Sequence, residues 1–100
     1  QYVLFNRAGG IETTELYMQT DSPWIGQSIQ SLHLADHFEA GVIGLRDEKG
    51  HYHYAPSIHH IVQPHDVLIV VTPMKFSDLL RERAHGNIST RPLSLRRVQS

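Results

Sequence analysis

Hydrophobic and polar positions between Gly41 and Pro73 fall into three strand-like runs separated by polar turns, and the rest of the chain flanks them. Two runs, VIGL (Val42 to Leu45) and VLIVV (Val67 to Val71), are unbroken and aliphatic, as strands buried on both faces are at this length. The third, His51 to Ala55, alternates His and Tyr, which at a period of two puts His51 and His53 on one face and Tyr52 and Tyr54 on the other. That alternation predicts one packed face and one wet face. Upstream, Ile11 to Gln19 has the β-branched and aromatic bias of a strand, while Gln1 to Gly10 reads as a connector or an extra strand.

Two stretches carry helical spacing. Ser22-Pro23 is helix-start chemistry, and Ile25, Ile29 and Leu32 follow at intervals of four and three, predicting a helix that ends between Leu34 and Glu39. Thr72-Pro73 repeats the start, with Phe76, Leu79, Leu80 and Arg83 on one stripe and Gly86 as the stop. Asp47-Glu48-Lys49-Gly50 has the composition of a hairpin loop, and Pro56 should end its strand or sit at an edge. The pattern predicts an α+β domain, a small four-stranded and mainly antiparallel sheet packed with two helices. Residues 1–11 are then a connector, 12–85 the domain and 86–100 a basic flexible tail bearing Arg91, Arg96 and Arg97.

Composition narrows the function. One hundred residues make one modest core, and a balance of 9 Lys+Arg against 10 Asp+Glu gives no global field to recruit nucleic acid. The absence of cysteine excludes disulfide scaffolds and thiolate metal sites. No apolar run approaches the roughly 20 residues that span a bilayer as a helix. A start at Gln1 reads as a piece of a longer protein. The chain has no Gly-x-Ser-x-Gly, His-Glu-x-x-His or phosphate-cradling glycine loop, so no enzyme is predicted.

The eight histidines are the strongest candidate chemistry, five of them inside the Gly41 to Pro73 stretch. His51 and His53 share a strand face, and a loop histidine such as His59 could supply a third imidazole, which makes a metal sensor or small metal-dependent enzyme the rival reading. Trp24 reads as a packing residue, and Asp66 as a side chain that fixes its own turn through nearby backbone amides.

The order of these elements, a strand, then WIGQSIQSLHL, then GVIGLRDEKGHYHYAPSIHHIVQPHDVLIVV, then an amphipathic helix, resembles the TrkA-C domain, the C-terminal lobe of the regulator-of-potassium-conductance (RCK) module. Gly26, Ser28 and Ile29 match the family's first helix, Arg46 the end of its hydrophobic strand, and Gly50, Pro56 and Asp66 to Val70 its hairpin, proline and last strand. His65 departs from the pattern, standing where the family usually has glycine before the turn aspartate, and the His-rich run between Pro56 and Asp66 is also atypical. The resemblance implies a cytoplasmic, dimeric regulatory domain of a membrane-associated potassium channel or transporter, following a nucleotide-binding N-terminal RCK lobe. A different transporter or a transcription regulator is the alternative host. It implies no cofactor, with a cyclic dinucleotide or a cation as regulatory ligand in some members. Carried over, the ligand cleft would be lined by Val42, Ile43, Leu45, Arg46 and Pro56, with a homodimer as partner and no nucleic acid.

Overall fold

The computed structural model describes residues 9–86 and the backbone of 3–6; the basic tail predicted over 86–100 lies, from residue 87 on, outside the described residues. Strands β1 (Val3–Asn6), β2 (Gly9–Tyr17), β3 (Gly41–Arg46), β4 (Tyr52–Tyr54) and β5 (Val67–Pro73) form one sheet in the order β1-β2-β5-β3-β4, every pair antiparallel. Two helices, α1 (Leu34–Phe38) and α2 (Met74–Ala84), complete the α+β architecture. The four strands read from the sequence are β2 to β5, and β1 extends the edge beside β2.

Pleating assigns the faces. On β2 the positions Thr14 and Leu16 are buried, and on β5 Leu68, Val70 and Thr72 are buried beside them; this face packs against α2 through Leu80 and Ala84. Tyr17, Ile69 and Val71 point to the other, open face and are only half-buried or exposed. The aliphatic run of β5 is therefore buried fully on one face and partly on the other. Removing Leu16, Met18, Leu68 and Leu80 from water is worth about 1.5–3 kcal/mol each, and all four are fully buried.

In β3 the alternation breaks. Its register against β5 slips between Val42 and Gly44, so Ile43 is the extra residue of a β-bulge. Val42 and Leu45, three apart, consequently both face the core, whereas Ile43 is 47% exposed. The expectation of a strand buried throughout fails at that one residue. On β4 the packed face expected from the His/Tyr alternation is missing: all three residues of this edge strand are exposed, with Tyr52 stacked on Tyr54 at 6.4 Å between ring centroids.

The first predicted helix is corrected most. Ser22 Oγ does accept the Trp24 amide at 3.2 Å, but it also donates to the Ala84 carbonyl at 2.5 Å, and Gly26 then takes φ 88. A helix running through residues 26–30 would need their amides internally, yet Gly26, Ile29 and Gln30 donate to the carbonyls of Val62, His60 and Ile58 at 2.9–3.0 Å, and Val62 returns a bond to Gln27. This short ladder replaces the helix, which survives only as a 3₁₀ turn over Gln30–Leu32 and the single turn and a half of α1. Trp24 is buried in the core, as a packing residue. At α2 the expected Thr72 cap is absent; Thr72 Oγ1 instead donates to the Phe38 carbonyl at 2.9 Å, tying α1 to the sheet. Leu79 and Arg83, expected on the buried stripe, are exposed, and Ser77 and Ala84 are buried with Leu80.

Candidate functional site

The ladder between residues 26–30 and 58–62 holds the loop after β4 against the α1 side of the sheet, and the two segments enclose a cleft of about 290 Å³. Val42 supplies its floor, Pro56 and Ile58 one wall, and Ile29, His33 and Leu34 the other. The loop is fixed from its far end as well. Met18 N–H donates to the Asp66 carbonyl and His65 N–H to the Met18 carbonyl, each at 2.7 Å, and the buried Asp66 carboxylate accepts the Gln63 amide and faces His60 Nε2, each at 2.9 Å. Asp66 thus fixes its turn as expected, with a histidine added.

The structure divides the five predicted ligand residues. Val42 and Pro56 meet in the cleft, whereas Ile43, the exposed bulge residue that follows Val42 in the chain, is not among its lining residues. Leu45 is a core residue, 2% exposed. Arg46 lies on the open face, opposite Tyr52 and Val67, in a separate recess. Ile29, His33 and Ile58 were not among the predicted ligand residues. Ile58, an isolated aliphatic residue two positions after Pro56 in a polar loop, was the one available signal; His33 offered none, since its place depends on a left-handed backbone at φ 50. Apolar walls that include the exposed Ile58 (51%) suit a flat, weakly polar ligand part or a second copy of the chain, and the His33 ring, 3.6 Å from Asp36, supplies a polar group among the lining residues.

The histidines on β4 and the following loop are arranged differently. His53 Nε2 lies 2.9 Å and His51 Nδ1 3.8 Å from the same Asp47 carboxylate, whose other oxygen accepts the Lys49 and His51 amides. The hydrogen bond from His53, followed by that from the His51 amide, lowers the Asp47 carboxyl from 3.8 to about 2. His59 stands elsewhere, its amide donating to Ser57 Oγ at 3.0 Å. Among the described residues, no three His, Asp or Glu side chains converge to hold a metal ion, so His51, His53 and His59 do not form the site that the metal-centred reading needs. Both imidazoles lie near the Asp47 carboxylate of the hairpin, and only His53 falls within β4.

The TrkA-C domain model matches residues 14–84. The chain belongs to the TrkA-C domain family. Solved structures of this fold include the RCK_C domain dimer of S. agalactiae BusR in complex with c-di-AMP, with a TM-score of 0.63, 18% identity, and coverage of 71% of this chain and 92% of that one. The RCK C domain of the potassium transport protein KtrA, in complex with the same cyclic dinucleotide, gives a TM-score of 0.64 at 18% identity over 72% of this chain and 81% of that one. No curated protein sequence matches significantly.

A third similar structure corrects one expectation. S. agalactiae BusR in complex with its busA-promotor DNA matches at a TM-score of 0.64 and 15% identity, over 78% of this chain and 38% of that one. A protein that carries this fold therefore does engage DNA, and the exclusion of nucleic acid drawn from near-neutral charge does not stand. Charge balance over one domain is a poor guide to such a partner when the matched domain is only part of the chain that binds.

Proposed function

We propose that this TrkA-C domain is a ligand-sensing and dimerisation module that regulates potassium transport or conduction from the cytoplasmic side of a membrane protein, beneath an N-terminal RCK lobe. The observation that carries the reading is the cleft of Val42, Pro56 and Ile58, with the exposed Ile43 next to Val42 in the chain. Its apolar lining takes a nucleobase face, and a cyclic dinucleotide, being two-fold symmetric, matches the axis of a symmetric dimer. The similarity to KtrA and BusR domains seen with c-di-AMP supports that ligand class.

Regulation follows from linkage. A ligand that contacts both subunits binds one relative arrangement of the two more tightly, and the attached gate is biased by that difference in affinity. Calorimetry with c-di-AMP on the purified domain, alongside sedimentation of the free protein, tests this reading: saturable heat and a dimer are expected, and a monomer with no heat would end it. The BusR likeness favours one second reading, in which the same sensor drives a transcription regulator. The sensing step is unchanged in that case and only the output differs.

A further inference from the structure

On the open face of the sheet, at the end opposite the Val42 cleft, Tyr17, Arg46, His65 and Val67 line a recess of about 310 Å³ together with Asp47 and Glu48. Three features of it are unexplained by folding. Arg46 is only half-exposed, yet among the described residues no carboxylate pairs with it, although both hairpin acids are close in sequence. Asp47 is engaged elsewhere: one oxygen holds two backbone amides and the other faces His53 and His51. Glu48 is exposed.

The second feature is His65 itself. It sits at φ 71, a backbone conformation that glycine adopts freely and a β-carbon disfavours. An imidazole is held there nonetheless, its Nδ1 2.5 Å from the Tyr17 hydroxyl and its backbone amide bonded to Met18 at 2.7 Å. The third feature follows from that bond. In the tautomer that lets the Tyr17 O–H donate to Nδ1, the ring carries its proton on Nε2, a donor with no partner among the described residues.

We propose that Arg46 and the Tyr17-oriented His65 form a binding subsite for a small oxyanion, the phosphate or carboxylate group of a metabolite-sized ligand. The guanidinium supplies a fixed fork of donors and the charge, His65 Nε2–H a further donor, and Val67 and the Tyr17 ring the apolar side. The subsite lies on the opposite face of the sheet from the Val42–Pro56 cleft and does not rest on the role given to that cleft.

Titration of the full chain with inorganic phosphate, and separately with succinate, at constant ionic strength and pH, followed through the His65 ring and Arg46 side-chain NMR signals, tests it. Saturable shifts of both signals are expected with at least one of the two anions, and the tighter of them identifies the preferred oxyanion. Arg46→Gln should weaken the saturation roughly tenfold or more, Arg46→Lys less than that, and His65→Gly, which fits the turn without strain, by several fold. Absence of saturation with either anion, or equal affinity in wild type and Arg46→Gln, would overturn the proposal. Folding of each variant is checked by the unchanged signals of Leu16 and Leu68 in the core.

Discussion

His60 Nε2 lies 2.9 Å from the carboxylate of Asp66, which is 2% exposed, and this contact ties the middle of the loop after β4 to the start of β5. The same oxygen holds the Gln63 amide. Asp66→Ala would leave both donors without their acceptor, and with His60 27% exposed water replaces part of the loss, so the expected cost is about 1–2 kcal/mol, or a fall in Tm of roughly 5 to 15 °C for a domain of this size. His60→Ala should cost about half as much, because Asp66 keeps the Gln63 amide. Thermal unfolding followed by circular dichroism measures both; a wild-type Tm for Asp66→Ala would contradict the role given to this turn.

Asp47 contributes to the acid limb of the stability profile. Its carboxyl is held at about 2 rather than 3.8, so its contribution to stability is fully present above the ordinary value and is lost as pH falls from about 3.8 to about 2. In His53→Ala the largest cause of that lowering is gone, and the Asp47 midpoint in a carboxyl NMR titration should rise from about 2 toward 3.8. An unmoved midpoint would mean that the hairpin amides alone hold the charge.

Gly86 ends α2 at φ 71, and a β-carbon there would meet Pro23 Cδ at 3.1 Å. Gly86→Ala therefore combines left-handed strain with a contact against the segment that Ser22 fastens to the end of α2. The expected loss is about 1–2 kcal/mol, read as a shift in urea midpoint with an unchanged slope.

Local chemistry was legible in the sequence where it was self-contained. The hairpin at Asp47 to Gly50 and the Asp66 turn are built from side chains bonding to amides within four residues, and both form as expected. The order of strands and the closing helix follow from hydrophobic runs that tertiary packing reinforces. The segment from Gly26 to Gln30 departs from the helix its spacing predicts because its backbone partners are more than 25 residues away, at Ile58 to Val62, and no periodicity in either segment announces a pairing of that range. The bulge at Ile43 was hidden for a related reason: an unbroken aliphatic run looks the same with or without a slipped register. Of the predicted ligand residues, Val42 and Pro56 meet because of that ladder, whereas the bulge leaves Leu45 in the core and Arg46 on the far face.

The central claim is that the Val42–Pro56 cleft receives the regulatory ligand across a dimer. Ile43 is the residue to change, because at 47% exposure it sits outside the core. Calorimetric titration of c-di-AMP into wild type and Ile43→Asp is the most direct measurement. One ligand per two chains, with binding at least tenfold weaker in Ile43→Asp at an unchanged Tm, is the predicted result. Equal affinity in the two proteins, or one ligand per chain, would contradict it.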